Sequence, residues 1–302
     1  MKKIVITGGT GLIGKQLIKI LCDRGDEVIA FVRDIKKANL PIEVKLIEWS
    51  SGMNVGKWVD SIDGTDAIIN LAGSPVATKW TEQHKIDIYN SRVNGTRILV
   101  EAIKMAKKKP SVLINGSAIG YYGTHSSKVF DETSPAGNDF LGTVCKSWED
   151  EAFKAEELGV RVTTIRTGVV LDLKGGALPK QITPFKMFVG GPILPGTQPY
   201  PWIHIEDELG IILWALDNEN VKGPINATAP DSVNNKEFSK ALAKSLKRPC
   251  LFPVPSLPMK ILFGEGAIIV LEGQKAIPKK ALELGYKFKF DKLSLALRNL
   301  IQ

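Results

Sequence analysis

Cysteine is scarce in this chain, and nothing arranges it. Cys22, Cys145 and Cys250 are far apart and form no C-x-x-C pair, which argues against a disulfide framework or a cysteine-ligated zinc site. The three histidines, His84, His125 and His204, do not cluster either. No apolar run is long enough to cross a bilayer. The N-terminal "MKKIVITGG" passes directly into a strand and a glycine turn, without an apolar leader or a small-residue cleavage site. The expectation is a cytoplasmic protein with no membrane partner. Aromatic residues make up only 7% of the chain and do not gather around arginines. The formal net charge is +8, but the lysines are scattered, and a run such as Lys107–Lys109 reads as a solvated helix end. A nucleic-acid partner is therefore not expected.

What is present is an α/β pattern. A chain of 302 residues suffices for one large domain with an added lobe, or for two modest domains. Strand-like runs stand at "KIVIT", "EVIAFV" (27–32), "VKLIEW" (44–49), "DAIINLA" (66–72), "SVLINGS" (111–117) and "RVTTIRT" (161–167). Helical patterns lie between them; Leu17, Ile20 and Leu21 recur at i, i+3, i+4, and Gly25 supplies a stop. Further helices are expected from about Thr81 to Lys108 and from about Gly142 to Leu158. This alternation predicts an α/β fold, a Rossmann-type doubly wound parallel sheet. After about residue 172 proline and glycine become dense. Residues 1–172 are read as a Rossmann domain that also takes in about 203–218. Residues 173–302 are read as a discontinuous, smaller α+β substrate lobe. Homo-oligomerisation is left open.

The segment "VITGGTGLIG" holds Gly8, Gly11 and Gly14 as T-G-x-x-G-x-x-G between a strand and a helix. Gly8 permits the tight turn, Gly11 lets the backbone approach a pyrophosphate, and Gly14 allows close helix–strand packing. The helix N-terminus favours phosphate charge. Thr10, Leu12 and Ile13 fall in the same turn and are expected to touch the dinucleotide. The second strand is followed by Arg33, where an acidic residue would suit the ribose 2′-hydroxyl of NAD and a basic one the 2′-phosphate of NADP. Asp34 stands one position later, and Lys36 and Lys37 add positive charge. The expected cofactor is NADP(H).

This turn, with "DAIINLAG" (Asp66 to Gly73), "NGT" (Asn94 to Thr96), "INGSAIGYYG" (Ile114 to Gly123) and "WIHIEDE" (Trp202 to Glu208), resembles the extended short-chain dehydrogenase/reductases. Adding "VCKSWEDEA" and the tail "LFGEGAIIVLEGQKAIPKKALELGYKFKF", the chain is similar to the atypical bacterial epimerase-family, or sugar-nucleotide-epimerase-like, proteins with a C-terminal domain of unknown function. The resemblance implies a Rossmann core with a smaller C-terminal substrate lobe. It also implies that Leu71, Ala72 and Gly73 lie against the cofactor, and that Thr167, Gly168 and Val169 flank its nicotinamide end.

Such enzymes use a Tyr-x-x-x-Lys pair for proton transfer, with a serine that orients the substrate oxygen. Ser117 matches the serine, but none of the five tyrosines has a lysine four residues later. Aligned on the family's helix, Leu141 takes the tyrosine position and Cys145 the lysine position; Lys146 is one residue off, on another helix face. Tyr121 and Tyr122, close after Ser117, are the candidate proton donors, with packing as their other reading. His204 could supply an acid from the lobe or serve as a strand-end hydrogen-bonding residue. Cys145, without a histidine partner, reads as a buried structural thiol. Two functions remain: an NADP(H)-dependent oxidoreductase or nucleotide-sugar epimerase-like enzyme on a small polar substrate, or a non-catalytic NADP(H)-binding sensor acting through a protein partner.

Overall fold

Seven short segments pair into one parallel sheet in the computed structural model, which describes residues 1–301. They are β1 (Lys3–Thr7), β2 (Glu27–Val32), β3 (Lys45–Glu48), β4 (Ala67–Asn70), β5 (Val112–Ala118), β6 (Arg161–Thr167) and β7 (Gly223–Ala227). Their spatial order is β7-β6-β5-β4-β1-β2-β3, and every pairing is parallel. A parallel sheet is covered on both faces, so its strands need apolar side chains in both directions. In β1, Ile4 and Ile6 face one core while Val5 faces the other.

The first core is completed by α1 (Leu12–Asp23) and α5 (Ile205–Asp217), through Leu17, Leu21, Ile211 and Ile212. The second is completed by α2 (Glu82–Met105) and the end of α3 (Phe140–Phe153), through Leu99, Ile103 and Ala152. Burial of each such aliphatic side chain contributes about 1.5–3 kcal/mol. The connection reverses direction between β1 and β4, and this opens a crevice at the carboxyl ends of the strands, the place where doubly wound sheets take their ligands.

The lobe has its own core. Leu178 and Phe185 of α4 (Leu178–Lys186), Phe238 and Leu242 of α6 (Asn235–Leu246) and Leu293 and Leu297 of the C-terminal helix (Leu293–Ile301) pack together with Trp202. Helix α6 begins with a capping box: Glu237 N donates to Asn234 Oδ1 at 2.9 Å, and Asn234 N donates to Glu237 Oε2 at 2.8 Å. Several ties hold the lobe to the sheet. The strand Gln274–Ala276 runs parallel to His125–Phe130. Asp207 of α5 accepts from the Lys289 and Phe290 backbone nitrogens at 2.8 and 3.0 Å.

One segment departs from the sequence reading, which gave residues 219–302 to the lobe. Gly223–Ala227 instead pairs with β6 and forms the last strand of the main sheet. It is only five residues long and contains Pro224, which an edge strand tolerates and a central strand does not.

Candidate functional site

The glycine turn stands at the crevice. Gly8 has φ +68°, and a Cβ there would lie 2.5 Å from the Leu71 carbonyl oxygen. A side chain at Gly14 would run into the Gly8 carbonyl. Only glycine serves at either position. Gly11 is the N-cap of α1 and supplies no side-chain cap, so the first-turn N–H groups of the helix remain available to an anion. Thr10 and Gly11 are exposed, while Leu12 and Ile13 are half-buried.

At the end of β2, Arg33 is exposed and has no ion pair among the described residues. Asp34 is turned away into its own local structure: its carboxylate accepts from Lys36 N at 2.9 Å and pairs with Lys37 Nζ at 3.3 Å. The cation is therefore the free group at this edge.

At the end of β4 a buried polar network fixes the crevice floor. Thr7 Oγ1 donates to Asn70 Oδ1 at 2.6 Å and accepts from Ala72 N at 3.2 Å. Asn70 Nδ2 donates to Asn115 Oδ1 at 2.6 Å and to Thr96 Oγ1 at 2.8 Å, and Trp148 Nε1 also donates to Thr96. Thus β1, β4, β5, α2 and α3 are joined beneath Leu71, Ala72 and Gly73, all of them partly or fully exposed. Beside Gly73 lies Arg92; a Cβ on that glycine would sit 2.9 Å from the guanidinium carbon. Arg92 Nη1 donates to the Ser74 and Ile88 carbonyls at 3.0 and 3.2 Å. Burial lowers its pKa, and among the described residues no carboxylate pairs with it. The sequence reading missed this residue; an arginine on the crevice side of α2, two positions before "NGT", was the available signal.

Thr167 Oγ1, at the end of β6, donates to Glu208 Oε1 at 2.7 Å. Glu208 is fully buried, and burial pushes its carboxyl up to about 8, although Thr167 opposes the shift. Gly168 N donates to Ala227 O and Val169 N to Pro201 O. Gly175 and Gly176 lie against Leu12, so a lobe loop reaches the glycine turn.

The dyad positions hold no proton-transfer pair. Leu141 and Cys145 both line Gly120. Cys145 is buried, and desolvation pushes its thiol up to about 12, as expected of an inert structural cysteine. Leu141 packs in an apolar cluster with Trp80, Val144, Ile268 and Ile269, so the C-terminal segment covers that position.

Two of the three expected catalytic hydroxyls point inward. Ser117 is 6% exposed and donates to Glu149 Oε1 at 2.6 Å. Tyr122 is 4% exposed; it donates to Asn226 Oδ1 at 2.6 Å and accepts from Arg166 Nη1 at 2.9 Å. Burial pushes Tyr122 up to about 12. Both belong to a buried polar network centred on Arg166. Tyr121 differs. It is half-buried, lays its ring 3.5 Å from the Arg166 guanidinium carbon, and its hydroxyl has no partner among the described residues. His204 is 1% exposed and caps α5, with Nδ1 accepting from Glu206 N at 3.1 Å and Nε2 at 3.1 Å from Asn299 Oδ1. That is the strand-end hydrogen-bonding role.

Beyond Tyr122 the chain enters a cleft of about 390 Å³ between Thr124 and His125 on one side and Thr197, Gln198 and Glu272 on the other. Part of the Pro- and Gly-rich stretch therefore forms its wall.

Residues 4–227 match the NAD dependent epimerase/dehydratase family, and residues 254–300 match a domain of unknown function, DUF1731. Epimerase family protein SDR39U1 homolog, chloroplastic, from Arabidopsis thaliana is 41% identical over 301 residues, covering 99% of this chain and 86% of the relative. Epimerase family protein YfhF of Bacillus subtilis is 38% identical over 299 residues, 99% of this chain and 97% of the relative. The crystal structure of human epimerase family protein SDR39U1 (isoform2) with NADPH is similar at TM-score 0.87 and 33% identity, covering 99% of each chain. The parallel sheet with its glycine turn and this likeness along the whole chain agree: the chain belongs to the NAD dependent epimerase/dehydratase family, among the extended short-chain dehydrogenase/reductases with a DUF1731 C-terminal domain.

Proposed function

We propose that this chain binds NADP(H) and is an atypical oxidoreductase, related to the nucleotide-sugar epimerases, that handles a small polar substrate without the Tyr-x-x-x-Lys dyad. The observation that carries the cofactor is the pair of neighbours Arg33 and Asp34: the cation is free at the end of β2, while the carboxylate is engaged in its own turn. The open N-terminus of α1 suits the pyrophosphate. The human relative crystallised with NADPH supports the same choice. When bound, the dinucleotide supplies or accepts a hydride. The chain's own part is to hold it on the glycine turn and to offer a proton from Tyr121, the one uncommitted hydroxyl of the three. The cleft beside Thr124 and Gln198 is of mixed lining, and its polar side chains, with Thr197 and Glu272, could meet a polar substrate.

A second reading, a non-catalytic NADP(H)-binding regulator, draws on the packing of Ile268 and Ile269 over Leu141. NADPH and NADH titrations, followed by a turnover screen of carbonyl compounds and nucleotide sugars, separate the two. Hydride transfer to any member supports the enzyme. Tight NADPH binding with no turnover and a co-purifying protein supports the regulator. Equal, weak binding of both cofactors removes the NADP(H) reading altogether.

A further inference from the structure

The net charge of this protein falls in two stretches of the lobe. Residues 173–205 and 238–264 contain no aspartate or glutamate, yet they hold seven lysines and Arg248. Without those eight, the forty lysines and arginines of the chain fall to thirty-two, matching its thirty-two acids. The net charge of +8 therefore belongs to these two stretches. All eight cations are exposed, and none forms an ion pair among the described residues.

The same stretches carry the largest set of exposed apolar side chains. Met187, Phe188, Leu251, Phe252, Ile261 and Leu262 are between 54% and 70% exposed. Backbone pairing brings the run at 190–194 against the run at 252–254. Leu194 N donates to Val254 O at 2.9 Å, Val254 N to Pro192 O at 2.8 Å, and Phe252 N to Gly190 O at 3.4 Å. Helix α7 (Ser256–Phe263) follows at once and buries none of its residues. Arg248 lies 4.6 Å from the Phe188 ring centre, so charge and apolar surface interleave. Exposed apolar patches of this kind mark interaction surfaces.

We propose that this face docks on an anionic lipid bilayer, with Phe188, Phe252 and the outer side of α7 entering the interface and the surrounding lysines and Arg248 meeting lipid phosphates. Shallow insertion of apolar residues with flanking cations is how monotopic proteins bind membranes. A second copy of the chain would instead set uncompensated cations against one another, which like-charge repulsion disfavours. The absence of a spanning helix does not bear on this, because interfacial docking needs no apolar run of that length. It departs from the expectation of no membrane partner.

The test is co-sedimentation of the full chain with vesicles rich in phosphatidylglycerol and, in parallel, with phosphatidylcholine vesicles. The expected result is binding to the first, little to the second, and release by salt, which screens surface charge. Lys247→Ala with Arg248→Ala should weaken that binding about tenfold or more. Phe188→Asp with Ile261→Asp should abolish it while the melting temperature and NADPH affinity stay unchanged. All four positions are exposed, so the fold does not depend on them. Absence of binding, or equal binding to both vesicles, overturns the proposal. So does a dimer, seen by light scattering, that the aspartate variants convert to monomer; the face would then be a self-association surface.

Discussion

Arg166 holds Glu149 through two parallel hydrogen bonds of 2.8 Å, Nε to Oε1 and Nη2 to Oε2, with both side chains less than 5% exposed. A buried pair of this kind is costly to break and far less costly to replace. Glu149→Ala or Arg166→Ala alone should each lower stability by about 3–5 kcal/mol, because each leaves a buried charge uncompensated. Replacing the two together, Arg166→Met with Glu149→Leu, should recover much of the loss. Urea unfolding checks both statements; a double variant as unstable as the sum of the singles refutes them.

The adjacent tyrosines should separate cleanly. Tyr122→Phe leaves Asn226 and Arg166 short of a partner and should cost about 1–3 kcal/mol of stability. Tyr121→Phe should leave stability nearly unchanged and, once a substrate is known, slow turnover about 10²–10⁴-fold. Turnover that survives Tyr121→Phe within a factor of ten removes the proton-donor role.

Arg33→Ala should weaken NADPH binding roughly tenfold or more and leave NADH nearly unaffected, since a charge-assisted contact is worth about 1.5–3 kcal/mol. Fluorescence titration of both cofactors is sufficient. Equal losses would show that Arg33 does not read the 2′-phosphate.

Arg92 has spent Nη1 on two carbonyls and keeps Nε and Nη2 beside Gly73. Arg92→Gln should reduce affinity for NADPH by about tenfold but leave adenosine 2′,5′-bisphosphate, which lacks the nicotinamide half, bound as before. A matching loss for the shorter ligand would place the effect in the fold rather than the crevice.

Glu208 sets a pH dependence. Its folded carboxyl is raised to about 8 from 4.5, so between those values the native state holds a proton that the unfolded chain has released. Stability should fall as pH rises across this window and level off above it. Glu208→Gln should flatten this part of the profile. A wild-type stability that instead rises from mildly acidic to mildly alkaline pH, with the glutamine variant parallel to it, contradicts the assignment.

The glycine turn, six sheet strands and the missing dyad were legible because each depends on local spacing. Gly8 and Gly14 declare themselves by position, and "EVIAFV" and "RVTTIRT" match their strands residue for residue. The Arg166 network was not legible, since its members lie on β5 and the turn after it, β6, α3 and β7, and meet only once the sheet has formed. One sign was present: a glutamate on the same α3 face as Val144, Cys145 and Ala152. The partner of Ser117 was hidden for a related reason. Ser117 stands near the end of β5, and its partner Glu149 comes 32 residues later on α3.

The strand Gly223–Ala227 affects how the molecule comes into being. During synthesis β6 is complete at residue 167, but its neighbour arrives more than fifty residues later, after α4 and α5 have been made. Until then β6 presents a row of unpaired backbone groups, a template for a foreign strand. Nascent chains stalled before residue 223, or proteins cut there, should aggregate rather than persist as a free cofactor-binding half. Lobe and sheet are thus a single unit of biogenesis.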